Sequence, residues 1–309
     1  MRKFNLKGTV VQRMRGIERE EPETTRNEQA EMPESPEMNA GFLPEQGLLE
    51  YAWRTDVGRL RKNNQDTVIL GNGLAGVADG MGGHKGGEIA SAGLRDGLLR
   101  ETKDRKPDKN VLTEAVSTVN YELWKQQESD SSLTGMGTTL TVLWPSEKEM
   151  IIAQVGDSRA YLLRNGKLAQ ITNDHSMVAD MVRKGVLTEE QAACHPMRNY
   201  ITRAVGTESS VETDIYTHDR EKDDRWLICS DGLHGMIPHD RICEILSCEQ
   251  LEEAADTLLG TALANGGKDN ISFVIVQDNS DTVLSEMSQD DDLNQDASEG
   301  DSPEEVKPQ

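Results

Sequence analysis

The chain has 309 residues, a formal net charge of −22 and a pI near 4.7, long enough for one large domain with a substantial buried core. An acidic balance of this size argues against nucleic acid as a partner, since phosphate backbones recruit Lys and Arg. It leaves open a phosphorylated substrate, because bound cations can reverse the field locally. No run approaches 18 apolar residues, so no membrane-spanning helix is expected. Arg13, Arg15 and Arg19 interrupt the N-terminal stretch, which does not read as a secretory signal.

Residues 1–45 carry 7 basic and 9 acidic side chains and few large apolar ones, and residues 278–309 carry 11 acidic and 1 basic. Neither end can bury enough apolar surface to offset chain entropy. Composition therefore predicts a disordered N-terminal segment at 1–45, one globular domain at 46–277 and an acidic, disordered tail at 278–309. The four cysteines (Cys194, Cys229, Cys243 and Cys248) form no C-x-x-C pair. They read as reduced thiols in a cytoplasmic protein.

In chain order, short apolar runs bounded by Gly, Asn or Asp predict strands at 49–55, 67–70 and 74–78. Helices are expected at 87–102 and 109–127, the second with Leu112, Ala115, Val116, Val119 and Leu123 at helical spacing. Strands follow at 138–143, 150–155, 159–163 and 168–172. Two short helices broken at Gly185 fill 175–193. Further strands are expected at 200–205, 212–217 and 225–229, then helices at 239–247 and 249–264, then a last strand at 271–276. Grouped rather than alternating helices point to an α+β fold with two stacked antiparallel sheets flanked by helices, an α-β-β-α sandwich.

Aspartates recur at the ends of these strands: Val77-Ala78-Asp79-Gly80, Ile228-Cys229-Ser230-Asp231-Gly232, Gly267-Lys268-Asp269-Asn270, and the turn Gly156-Asp157-Ser158. A carboxylate at a strand end is held by the sheet and stays accessible. Oxygen ligands without a His or Cys cluster favour Mg²⁺ or Mn²⁺ over zinc. Each Asp-Gly taken alone is first a turn dipeptide, and Asp269-Asn270 alone could be a loop or a strand-start cap. A cysteine nucleophile is excluded more simply: where a C-x₅-R loop would need Arg, Cys194 is followed by Tyr200.

The ordered set of motifs resembles the metal-dependent protein phosphatases of type 2C, particularly the bacterial form. The resemblance covers about residues 50–277. It runs through Thr55-Asp56-Val57-Gly58, Arg61-Lys62-Asn63-Asn64-Gln65-Asp66, Asp79-Gly80-Met81-Gly82-Gly83-His84, Gly137-Thr138-Thr139 and Gly156-Asp157-Ser158-Arg159. Thr172-Asn173-Asp174-His175-Ser176, His195-Pro196, Ser230-Asp231-Gly232 and Asp269-Asn270-Ile271-Ser272 complete it.

What the resemblance implies is hydrolysis of phosphoserine and phosphothreonine in proteins by a hydroxide bridging two Mn²⁺ or Mg²⁺ ions. Asp79 would bridge the pair, with the Gly80 carbonyl on one ion and Asp231 and Asp269 on the other. Asp66 would hold metal-bound water, and Asp157 with Asp231 would form a weaker third site. Arg61 would grip the substrate phosphate, while Ser158 and Asn270 would support their neighbours. Met81 stands where eukaryotic relatives carry a His, and His84 is a candidate substrate contact. Gln65 replaces a Glu often found before the motif's Asp. Residues 174–200 correspond to the flap over the site, where His175 and His195 are expected to make structural hydrogen bonds.

The implied partners are phosphoproteins that are substrates of, or include, a serine/threonine kinase, met by a monomer with no nucleic acid or membrane partner. The competing readings are an inactive phosphatase-like module that binds phosphoproteins or regulates a kinase pathway, and a non-enzymatic acidic scaffold. Retention of Asp79, Asp231, Asp269 and Arg61 favours the active enzyme over both.

Overall fold

The computed structural model describes residues 49–82 and 85–280. Strands β1 (Leu49–Asp56), β2 (Asp66–Gly71) and β3 (Leu74–Met81) lead into helices α1 (Gly86–Thr102) and α2 (Lys109–Ser129). Then come β4 (Gly137–Thr138), β5 (Leu140–Pro145), β6 (Glu149–Val155), β7 (Arg159–Arg164) and β8 (Lys167–Gln170). Two short helices, α3 (Met177–Arg183) and α4 (Glu189–Ala193), precede β9 (Asp214–Asp219) and β10 (Arg225–Cys229). Helices α5 (Asp231–His234), α6 (His239–Leu246) and α7 (Leu251–Ala264) lead to the last strand, β11 (Ile271–Asp278). One sheet has the order β1-β11-β10-β7-β8. The other has the order β2-β3-β5-β6-β9, with β4 beside β3. Every pairing is antiparallel.

Side-chain alternation explains the layering, because successive residues of a strand face opposite sides of its sheet. Ala75 and Val77 of β3, Ala160 and Leu162 of β7, Trp226 and Ile228 of β10, and Val274 and Val276 of β11 form the core between the sheets. The other faces meet helices. Leu74 and Ala78 pack with Leu94, Leu98 and Val116 of α1 and α2, while Leu227, Phe273 and Ile275 pack with Ile242, Leu258 and Ala262 of α6 and α7. The α-β-β-α sandwich expected from sequence is the observed architecture.

Local chemistry starts and turns the elements. Asp108 caps α2 by accepting from the backbone N–H groups of Asn110 and Val111. Asn72-Gly73 makes the β2–β3 turn with φ of +51° and +81°, the two-residue type that matches strand twist and sets hairpin register. That register makes Asp66 and Asp79 direct cross-strand partners.

Four expectations need correction. Residues 200–205 form no strand. Ile201 and Val205 make only isolated bridges, to Ser176 and Thr138, because the segment has no continuous partner and its N–H groups bond piecemeal to loops. The strand expected at 138–143 is divided into β4 and β5. The strand expected from Glu212 starts at Asp214 and runs to Asp219. Asp278, assigned by composition to the acidic tail, is the last residue of β11 and is fully buried against Arg220 (Nε to Oδ2, 2.7 Å). A paired arginine offsets the cost of burying that carboxylate, which composition alone does not register. Residues 1–48 and 281–309, which include nearly all of both expected disordered ends, lie outside the described residues.

Candidate active site

The inter-sheet faces carry the acidic residues to one end of the sandwich. On β3, Asp79 continues the face of Ala75 and Val77; on β2, Asp66 shares the face of Val68 and Leu70; on β11, Ser272 shares that of Val274 and Val276. Where the apolar side chains stop, carboxylates and hydroxyls take over. Asp231 opens α5 directly after β10, Asp269 directly precedes β11, and Asp157 sits in the β6–β7 turn. Five aspartates distant in sequence thus act on one another electrostatically.

Two like charges facing each other across a strand pair are unfavourable, and burial makes it worse. Asp79 is pushed well above the carboxylate range by burial first, then by Asp66, Asp231, Asp157 and Asp269. Burial, reinforced by Asp157, Asp269 and Asp66 and opposed by Arg61, raises Asp231 to about 8. Asp66 and Asp157 are each raised to about 6, again chiefly by burial. Such a cluster binds either protons or cations.

Hydroxyls and an amide tie the segments of the cluster to one another. Ser230 Oγ donates to Asp66 Oδ2 (2.8 Å) and accepts from Ser272 N–H (3.1 Å). Asp79 N–H donates to Thr139 Oγ1 (2.9 Å), and that hydroxyl lies 2.8 Å from Ser158 Oγ, linking the Asp157 turn to β3. Asn270 Oδ1 accepts from Gln65 N–H (2.9 Å), and its Nδ2 donates to Val57 O (3.0 Å) and Asn63 O (2.9 Å). One side chain thereby holds the loop that carries Arg61.

Two backbones approach too closely for any side chain: a Cβ on Gly80 would lie 2.1 Å from Gly87 O, and one on Gly232 1.9 Å from Asn270 O.

Arg61 is not free. Its Nη2 lies 2.6 Å from Asp269 Oδ2, so the residue expected on phosphate and a residue expected on metal hold each other. His84 lies outside the described residues. Sequence reasoning assigned no role to Ser230, Thr139 or His234. His234, three residues after Asp231 on α5, places Nε2 3.1 Å from Asp157 O. Burial, helped by Arg159, drops its pKa to about 3, so the ring is neutral and Nε2–H donates. The available signal was helical spacing from Asp231. Beside it Arg159 grips Asp174 through Nε and Nη2 (2.9 and 2.7 Å). His175 Nδ1 accepts from Gly156 N–H (3.0 Å), and its Nε2 meets Asp214 Oδ2 (3.2 Å), a structural link between the β6–β7 turn and the start of β9.

The donor set suits hard divalent cations. Asp66 Oδ1 and Asp231 Oδ1 are buried without a hydrogen-bond partner, and a buried carboxylate oxygen left unpaired is costly unless a cation satisfies it. Among the described residues no three Asp, Glu, His or Cys groups close into a ready ligand shell. The aspartates are near enough to raise one another's pKa without forming one, which fits an ion that keeps several of its waters.

The match with known proteins follows the same lines. The chain is 40% identical over 231 residues to the serine/threonine protein phosphatase PstP of Mycobacterium tuberculosis, covering 74% of this chain and 45% of PstP. This chain thus spans less than half the length of that relative. It is 38% identical over 237 residues to the serine/threonine phosphatase stp of Listeria monocytogenes, covering 73% of this chain and 94% of that one. A crystal structure of the PstP catalytic domain in complex with two manganese ions superposes with a TM-score of 0.69 at 37% identity, over 75% of this chain and 99% of that one. Fold and acidic site together define a domain of the cation-dependent phosphatase class. The family model for protein phosphatase 2C matches residues 61–267, and the chain belongs to that family, in its bacterial form.

Proposed function

We propose that the domain hydrolyses phosphate monoesters on serine and threonine side chains of proteins, working with divalent cations. The observation that carries this reading is the pair of unpartnered buried oxygens, Asp66 Oδ1 and Asp231 Oδ1, within the aspartate cluster. Asp79, Asp231 and Asp269 with the Gly80 carbonyl would hold two ions, Asp66 would act through water, and Asp157 with Asp231 would take a weaker third. Bound there, Mn²⁺ or Mg²⁺ would supply positive charge that lowers the pKa of water toward a hydroxide nucleophile and clamps phosphoryl oxygens.

The protein's own groups do the rest. Ser230 fixes Asp66 so that Oδ1 stays turned away from its hydroxyl partner. Asn270 holds the loop of Arg61, whose planar fork suits phosphate oxygens, once it exchanges Asp269 for substrate. His84 would contact substrate, and residues 174–200 would act as the flap. In this reading the partners are phosphoproteins, the kinase or its substrates among them, and the chain acts as a cytoplasmic monomer. None of its described helices is long and apolar enough to cross a membrane.

The test is turnover of a phosphothreonine peptide and of an aryl phosphate by the full chain. Activity should require Mn²⁺ or Mg²⁺, vanish in chelator, and fall at least about 10²-fold in Asp231→Asn. Equal rates with and without metal would reject the assignment, and no turnover in either metal would favour the inactive module.

A further inference from the structure

The rim beside this acidic site has the opposite charge. Residues 57–63 (Val-Gly-Arg-Leu-Arg-Lys-Asn) and 264–268 (Ala-Asn-Gly-Gly-Lys), bounded by Asp56 and Asp269, contain four cations in a chain of net charge −22. The two segments are joined. Arg59 N–H donates to Gly267 O (2.6 Å), Asn270 Nδ2 holds Val57 O and Asn63 O, and Arg61 reaches Asp269. At Gly58 a Cβ would come within 2.2 Å of Asp269 O and 2.8 Å of Gly267 O. Arg59, Lys62 and Lys268 are all exposed, and among the described residues none of the three has an ion-pair partner. Many arginines elsewhere on the domain are paired, as Arg54 with Glu252 and Asp256, Arg100 with Glu122, and Arg203 with Asp214; what sets Arg59, Lys62 and Lys268 apart is that their two segments are tied together around Arg61 and Asp269.

Cations left unpaired around the single paired Arg61 create a positive collar at the mouth of a negative site. A phosphorylated side chain entering the cluster brings its flanking residues across this collar. We propose that Arg59, Lys62 and Lys268 select phosphoproteins with acidic residues beside the phosphorylated serine or threonine. The inference rests on the phosphatase reading and adds the sequence context of its substrates. Charges of this kind act on encounter and specificity, are individually modest, and are screened by salt.

The experiment uses the full chain in Mn²⁺ with three phosphothreonine peptides flanked by Glu, Ala or Lys, and an aryl phosphate as the substrate without flanks. At low ionic strength kcat/KM should favour the Glu-flanked over the Lys-flanked peptide by about tenfold, a few-fold for each cation, and the ratio should shrink in high salt. The triple variant Arg59→Gln, Lys62→Gln, Lys268→Gln should lose the preference and keep aryl phosphate turnover within about twofold, since that substrate does not span the collar. Equal kcat/KM for the three peptides in the wild type, or an unchanged preference in the triple variant, overturns the proposal and leaves the phosphatase reading intact. If nothing is turned over, the phosphatase reading falls. Fluorescence anisotropy with the same peptides still decides the collar: tighter binding of the Glu-flanked peptide, lost in the triple variant, supports it, and equal binding overturns it.

Discussion

Replacing Asn270 by Ala removes three hydrogen bonds at once, to Gln65 N–H, Val57 O and Asn63 O. Asn270 is 4% exposed, whereas the loop it holds is open to solvent from Arg59 to Asn63. Water can take over the exposed Asn63 carbonyl, Val57 being half-buried, and each of those two bonds counts at the usual net value of at least about 1 kcal/mol. The Gln65 N–H is half-buried, so its loss costs about 1–2 kcal/mol. The expected destabilisation is about 3–4 kcal/mol, a fall in Tm of roughly 6–16 °C for a domain of this size. Urea unfolding of wild type, Asn270→Ala and Asn270→Asp measures it. The Asp variant keeps the acceptor for Gln65 but sets a carboxylate oxygen against the Val57 and Asn63 carbonyls and adds charge beside Asp269, so it should be destabilised at least as much as the Ala variant. A loosened loop also misplaces Arg61, so KM for a phosphopeptide should rise more than kcat falls. A loss below about 1 kcal/mol in the Ala variant, with unchanged KM, would refute the view that this side chain holds the substrate-facing loop.

Two further outcomes follow from the charges. Asp66, Asp157 and Asp231 have folded pKa values of about 6, 6 and 8, above those of an unfolded chain, so between about pH 4 and 8 the folded protein holds more protons than the unfolded one. Stability in chelator should therefore be greatest toward pH 5 and decline toward pH 8, with Mn²⁺ raising Tm more at pH 8 than at pH 5. Scanning fluorimetry across pH checks this, and a chelated Tm that climbs from pH 5 to 8 contradicts it. Second, Arg61→Met should tighten Mn²⁺ binding about two- to fivefold by calorimetry, the value of a half-exposed ion pair, because Asp269 loses its competitor. It should also raise phosphopeptide KM. Weaker metal binding would show that Arg61 does not compete for Asp269.

Much of this protein is decided locally. Alternating apolar residues in β3, β7, β10 and β11 specify which side chains enter the inter-sheet core, and the same alternation carries Asp66 and Asp79 onto that face. The Asn72-Gly73 turn even sets their register, because a two-residue hairpin permits only one pairing. Strand ends followed by Asp-Gly were therefore legible, as was the succession of segments that carries the family resemblance. Other features depend on elements distant in the chain, and no local preference encodes them. That β11 lies between β1 and β10, that Asn270 reaches back to Val57 and Asn63, that His234 meets Asp157 and that Arg61 is held by Asp269 are all consequences of packing. Residues 200–205 show the limit from the other side: a β-prone run becomes a strand only when a neighbour offers a continuous row of backbone partners, and none lies beside it. The sequence determined the aspartates and the faces they occupy; the tertiary structure decided which of their charges confront one another, because repulsion and burial exist only after distant segments share one small volume.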